Sequence, residues 1–236
     1  MKTKTKQWRK ILAVIVVLGL MIPAAMAVAG GAGNLIKNPL IAPPNSHAYG
    51  NTLTRWSTLY WQWYIPGADP AQSKVGDVQL MPIPVGEQTG GDISDPNNPA
   101  YFVGQLQITI PAGTPIVLPA FSLYYELYQD GSQDTPYPDA DVLGSVHPAL
   151  TIDGVVVLTD ANKAAYYNPA TYFDAPIFYP EPTPYGSVAA IFFQGVSVVI
   201  KPLAVGQHTI HLVEPWIFPP LWSLVYDNTW HVTVTP

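Results

Sequence analysis

The stretch QLQITI, residues 105–110, alternates strictly between polar and apolar side chains. Leu106, Ile108 and Ile110 fall on one side of this segment, and two glutamines and a threonine fall on the other. A period of two residues places successive side chains on opposite faces of an extended strand. The segment therefore predicts a β-strand with one face in a core and one in solvent, and this pattern decides the fold class.

Apolar and polar residues alternate in several later segments as well. These are residues 121–128, 150–157, 196–200, 208–212 and 230–235. Asp153-Gly154 between two apolar runs is a strong hairpin signal, whereas the Gly, Pro, Asp and Asn residues of 69–99 predict a long loop. Strands at this spacing, without a repeating strand–helix pattern, predict an all-β fold: an antiparallel β-sandwich, immunoglobulin-like or jelly-roll-like.

Residues 55–64, RWSTLYWQWY, follow a helical period instead. Trp56, Tyr60 and Trp63 recur at spacings of three, four and seven residues, which is typical of one face of a helix. Leu59 and Trp61 widen this apolar stripe, so the helix is expected to be covered on more than one side. We predict one N-terminal aromatic helix at about residues 53–65, docked on the sandwich and closing one end of its core.

The first 27 residues have the layout of a secretory signal peptide. Five basic residues precede an apolar run, Ile11 to Ile22, and the small-residue signal Ala25-Met26-Ala27 follows. The run is too short to span a bilayer, which takes about 20 helical residues. We therefore predict cleavage after Ala27, a single domain over residues 28–236, no later transmembrane segment, and a secreted or periplasmic location.

Charge and composition narrow the possible partners. Residues 28–236 hold five basic residues against sixteen acidic ones, a net charge of −11. An acidic surface repels phosphate backbones, so nucleic acid is not expected as a partner. The chain has no cysteine, which excludes disulfides and thiol catalysis. No cofactor is predicted, although calcium is possible because acidic surfaces attract cations.

Six motifs together resemble an uncharacterised family of secreted bacterial proteins. They are WSTLYWQW at 56–63, IPAGTP at 110–115, TIDGVVV at 151–157, KPL at 201–203, GQHTIH at 206–211 and TWHVTV at 229–234. Their order spans most of the chain, so the resemblance implies a common fold, but that family has no known activity. This chain departs from the pattern at Tyr60, where the family typically has tryptophan. It also lacks the family's cysteines, and its Tyr49-Gly50 lies further upstream of the tryptophan helix than is typical.

Motifs for common enzymes are absent from the sequence. It contains no nucleophile elbow, zinc-protease helix, phosphate-binding loop or dinucleotide fingerprint. His208 and His211 lie three residues apart on a predicted strand and point to opposite faces, so they do not share a metal without a bulge. His211 and His231 could converge from neighbouring strands, and the metal site, if any, is unknown from the sequence.

Carboxylates next to tyrosines give the clearest candidate site. Glu126 shares a predicted strand face with Tyr124 and Tyr128, and Asp139 and Asp141 follow an acidic loop. Two acids about 5 to 9 Å apart between aromatic rings would suit a glycosidase, with one acid protonating the leaving oxygen. A solvated tyrosine-rich face with an acidic loop, or a calcium-holding loop, explains the same residues.

Arg55, the one arginine after the signal, is a candidate ligand-binding residue. If it faces inward it needs a carboxylate partner such as Glu126, Asp139 or Asp141, because an unpaired buried charge is very costly. Exposure at the surface, or a pocket that holds an anionic ligand group, are the alternatives. The sequence around Arg55 is compatible with all three alternatives.

The sequence favours a non-catalytic binding or envelope-associated module that acts through an aromatic and acidic surface. Glycans, small molecules and cell-envelope components are the expected partners, because aromatic rings with polar tips suit such ligands. The alternative is an extracellular carbohydrate-active hydrolase that uses the carboxylate pair.

Overall fold

The computed structural model describes residues 39–84, 86–218 and 222–236. The predicted signal peptide, residues 1–27, lies outside the described residues. Lys37–Pro236 forms one compact unit. No helix in its described part is both long enough and apolar enough to cross a bilayer.

Two β-sheets form the body of the molecule. The first has the order β1-β2-β5-β9-β8, with β1 at Lys74–Val75, β2 at Val78–Leu80, β5 at Ile116–Tyr128, β9 at Ser187–Ile200 and β8 at Tyr167–Phe178. The second has the order β3-β4-β11-β10-β6-β7, with β3 at Glu87–Gly90, β4 at Ala100–Pro111, β11 at Trp222–Thr235, β10 at Gly206–Phe218, β6 at Ala149–Ile152 and β7 at Val155–Leu158. The predicted β-sandwich is confirmed.

Strand pairing is mostly antiparallel, with two parallel exceptions. β4 pairs with β11 in parallel along its whole length, and β2 pairs with β5 in parallel. Alternation along one strand does not encode the direction of its neighbour, which is why the sequence did not reveal these pairs. The predicted hairpin is confirmed, because β6 and β7 pair around Asp153 and Gly154, which both have positive φ as a tight hairpin turn requires.

The predicted long loop at residues 69–99 instead contains β1, β2 and β3. These strands are two to four residues long, too short for a visible alternation. A second α-helix, α2 at Asp139–Ser145, follows the acidic loop, while α1 occupies Leu53–Tyr64 as predicted. Short 3-10 turns lie at Ala48–Gly50, Pro70–Gln72 and Lys163–Tyr166.

β9 has apolar side chains on both of its faces. Val196, Val198 and Ile200 point between the sheets into the main core, which also contains Trp230. Val199 points the other way and packs against the tryptophans of α1. The aromatic helix therefore covers the outer face of the five-stranded sheet, and the expectation that it closes one end of the core is wrong.

Trp56 is 1% exposed, and its indole N–H donates to the carbonyl of Ala48 at 2.8 Å. We predict that Trp56→Ala lowers the free energy of unfolding by about 3 to 5 kcal/mol, because it removes a large buried ring from the helix–sheet contact. Arg55→Ala, one residue away on the exposed side of α1, should change it by less than about 0.5 kcal/mol. Urea unfolding followed by circular dichroism measures both changes. Equal unfolding midpoints for the parent protein and Trp56→Ala would show that the helix is not part of the core.

Candidate functional site

Glu126 lies buried on β5 and accepts three hydroxyl hydrogen bonds. Its Oε1 accepts from Tyr179 at 2.9 Å and from Tyr185 at 3.5 Å, and its Oε2 accepts from Ser187 at 2.5 Å. The residue is only 7% exposed. A buried carboxylate is costly unless hydrogen bonds replace its water, and these three hydroxyls do so.

The strand register explains how these residues meet. Tyr125 pairs with Phe192 and Glu126 with Ala190, so β9 has an extra residue, Ile191, at this point. Such a bulge re-aims the side chains beyond it. It leaves Glu126 on the same face as Ala190, which packs with the aromatic helix. Ser187 reaches the carboxylate from the start of β9.

Four tyrosines lie close to this carboxylate, and two more extend the group towards the end of α1. We call them the tyrosine face: Tyr64, Tyr124, Tyr128, Tyr179, Tyr185 and Tyr226. The rings of Tyr124 and Tyr179 lie 6.5 Å apart at 59°, and Tyr124 also contacts Trp61 of α1 at 5.5 Å. Tyr124 is 41% exposed and Tyr185 64% exposed, so the face opens to solvent.

Burial and neighbouring acidic groups raise the pKa values of these phenols. Burial, then the charges of Tyr185 and Glu126, with smaller contributions from Tyr64 and Tyr226, raise the pKa of Tyr124 to about 12. Burial and Glu126 also raise the pKa of Tyr179. Phenols with raised pKa values keep their protons at neutral pH, so these hydroxyls remain hydrogen-bond donors.

An open hollow of about 540 Å³ adjoins the tyrosine face at the ends of β5 and β8. Tyr128 and Tyr179 belong to both. Leu127, Phe178 and Pro182 add apolar surface to its lining. A volume of this order fits a small molecule or part of a larger one.

The structure brings Glu126, Tyr124 and Tyr128 together as the sequence predicted, but gives Asp139 and Asp141 different surroundings. Both aspartates are exposed in the first turn of α2, where acidic residues favour the helix dipole. Asp139 accepts hydrogen bonds from Tyr167 and Gln194, at 2.8 Å each. It shares neither of these partners with Glu126, which accepts from Tyr179, Tyr185 and Ser187.

Arg55 is exposed at the start of α1. Within residues 39–84, 86–218 and 222–236, no carboxylate lies within ion-pair distance of its guanidinium. Of the alternatives left by the sequence, surface exposure is the one observed. The tyrosine face lies at the opposite end of α1, where Trp61 contacts both Tyr124 and Tyr64.

Metal-ligand groupings are not found in the described part of the chain, where no three acidic or histidine residues cluster. His208 contacts Asp153 at 2.7 Å, and His211 contacts Asp227 at 2.7 Å. In the acidic loop, Asp134 accepts hydrogen bonds from Tyr128 and from the backbone of Glu126. Calcium binding by this loop stays a prediction.

Glu214 was not singled out by sequence reasoning. It lies on β10, is 5% exposed, and its Oε1 has no hydrogen-bond partner in the structure. Burial raises the pKa of Glu214 well above its usual value. It pairs with Tyr226 of the tyrosine face, and burial together with Glu214 raises the pKa of that phenol. A sequence signal existed, because Glu214 continues the inward-facing series of Ile210 and Leu212.

The comparisons with known proteins show no family for this chain. No family model and no curated protein matches it. The cysteine protease inhibitor EhICP2 from Entamoeba histolytica is 16% identical, with 56% of this chain and 96% of that chain covered at a TM-score of 0.20. PbICP-C, solved in complex with falcipain-2, is 15% identical, with 67% of this chain and 98% of that chain covered at a TM-score of 0.24. Structural similarity at these TM-scores does not indicate a shared fold or function.

The buried Glu214 makes stability depend on pH. Its raised folded-state pKa means that the folded protein keeps a proton that the unfolded chain loses near the usual glutamate pKa. The contribution of Glu214 to stability is therefore greatest below that value and falls as pH rises towards the folded-state pKa. We predict that Glu214→Gln, which stays neutral, raises the melting temperature at pH 8, and that this gain shrinks towards pH 4.

Thermal unfolding across this pH range measures the effect, with the exposed Glu87→Gln as the control variant that should show no such trend. A gain that is the same at every pH, or no gain at all, would contradict the assignment of a neutral buried Glu214.

Proposed function

We propose that this protein is a secreted or periplasmic, non-catalytic binding module that holds its ligand on the tyrosine face. The observation that carries the proposal is the buried Glu126, whose three hydroxyl donors include the exposed Tyr185. These hydrogen bonds tie the rings of Tyr179 and Tyr185 to Glu126 before any ligand arrives. Preorganised rings lose little conformational entropy on binding, which favours affinity.

The shape and chemistry of the surface support binding of a small or flat ligand. Exposed tyrosine rings offer apolar faces and polar tips, a combination common at binding surfaces. The adjoining hollow, lined by Phe178 and Pro182 among others, extends the apolar area. Glycans, small molecules and cell-envelope components that present an apolar face remain the expected partners.

The hydrolase alternative has less support. A glycosidase needs two carboxyl groups that reach the substrate from either side of the bond. Glu126 is 7% exposed and both of its oxygens accept hydrogen bonds, and Asp139 accepts bonds from Tyr167 and Gln194.

A screen of glycans and small molecules against the protein recovered from expression of the full chain tests the proposal, with hydrolysis followed in the same wells. We expect binding without turnover. Tyr185→Leu should lower the affinity by at least about tenfold, since an exposed anchoring ring is worth more than about 1 kcal/mol. Tyr172→Leu is the matched control, because Tyr172 is 62% exposed but packs on Phe192 instead.

Two results would contradict the proposal. Turnover that Glu126→Gln abolishes would establish the hydrolase. Equal losses of affinity in the Tyr172 and Tyr185 variants would move the binding surface away from the tyrosine face.

Export is tested separately by the mass of the mature protein. Cleavage after Ala27 should leave Val28 as the first residue, because small residues at the end of the signal are what the signal peptidase recognises. Intact-mass spectrometry of protein recovered outside the cytoplasm measures this directly. A chain that begins at Met1 and stays with the cytoplasmic fraction would contradict the secreted or periplasmic location.

A further inference from the structure

Charge around the tyrosine face is one-sided. Between Ile116 and Ile200, the span that contains β5, β8 and β9, the sequence has a single lysine and no arginine. That residue, Lys163, is buried, where its ammonium donates to the carbonyl of Val146 and contacts Asp160 at 2.7 Å. These strands therefore bring acidic residues to the face and no available cation.

Acidic side chains lie in and beside the same surface. Glu126 is at its centre, and Asp134 accepts the hydroxyl of Tyr128 at 3.0 Å. Glu181 is exposed and precedes Pro182, which lines the hollow. Like charges so placed favour a positively charged ligand and disfavour an anionic one.

Glu126 attracts a cation but leaves the N–H donors of a ligand little access to its oxygens, because the residue is only 7% exposed and three hydroxyls already bind it. Tyr179 and Tyr185 occupy its Oε1 and Ser187 occupies its Oε2. A primary ammonium ligand would bring three N–H donors that each need an acceptor. A cation without N–H groups has no such requirement, so it matches this carboxylate better.

The rings supply the remaining interaction. The tilt of 59° between Tyr124 and Tyr179, with centroids 6.5 Å apart, forms an angled wall beside Glu126. Exposed Tyr185 hydrogen-bonds to the same carboxylate oxygen as Tyr179. The negative faces of aromatic rings attract cations, and quaternary ammonium groups are bound in this way by cages of aromatic side chains.

We propose that the tyrosine face binds a quaternary ammonium group carried by a small molecule in solution. The inference rests on the proposed binding function and specifies its ligand class. A neutral sugar would use the rings but has no charge for the carboxylate to attract, whereas a quaternary ammonium uses both.

Choline and 3,3-dimethyl-1-butanol, its neutral isostere in which carbon replaces nitrogen, are the matched probes. Isothermal titration of the full-chain protein with each should show choline binding at least about tenfold more tightly, because only choline has a charge for the rings and Glu126. Tyr124→Leu and Tyr185→Leu should each lose choline binding, while Tyr172→Leu retains it. Circular dichroism confirms that each variant is folded.

The same titrations distinguish failure of the quaternary ammonium proposal from failure of the proposed binding function. Equal or tighter binding of the neutral isostere would exclude a cationic ligand and leave the proposed binding function standing. Binding of glycans without any binding of choline would do the same. Binding to phosphatidylcholine vesicles with no response to free choline would assign the site to lipid headgroups instead of soluble molecules. Failure of every ligand in the screen as well as choline would remove both proposals.

Discussion

The burial of β9 on both faces is the constraint on which the rest of the structure depends. Val196, Val198 and Ile200 need the second sheet as a cover, and Val199 on the other face needs the aromatic helix. Apolar surface left in water would cost roughly 25 cal/mol per Å². The helix is therefore a third layer that the sandwich requires, and its C-terminal turn places Trp61 against Tyr124 and contributes Tyr64 to the tyrosine face.

A buried carboxylate organises that face. Glu126 destabilises the fold unless its oxygens are hydrogen-bonded, and Tyr179, Tyr185 and Ser187 meet this need. The same hydrogen bonds that offset the burial of Glu126 also restrain the side chains of Tyr179 and Tyr185. Glu214 follows the opposite rule, because burial raises its pKa. Hydrogen bonds stabilise the buried Glu126, whereas Glu214 is stabilised in its protonated, neutral form. Tyr124 lies near Glu126, and Tyr226 lies near Glu214.

The sequence was informative where a local period reflects a buried face. The alternation at residues 105–110, the helical spacing of Trp56 and Trp63, and Asp153-Gly154 each correctly predicted their elements. Glu126 with Tyr124 and Tyr128 was predicted because alternation places them on one face. Tyr179, Tyr185 and Ser187 were missed, since they reach Glu126 from over 50 residues away in sequence. The parallel pairing of β4 with β11 has no local signature either.

The central claim is that one buried carboxylate holds Tyr179 and Tyr185 in place, and a double-mutant cycle between Glu126 and Tyr179 tests it most directly. Glu126→Met removes the acceptors at nearly constant length, Tyr179→Phe removes one donor, and urea unfolding gives the free energy of each variant and of the pair. The account predicts a favourable coupling of about 1 kcal/mol or more between the two residues. Simple additivity of the two substitutions would contradict it.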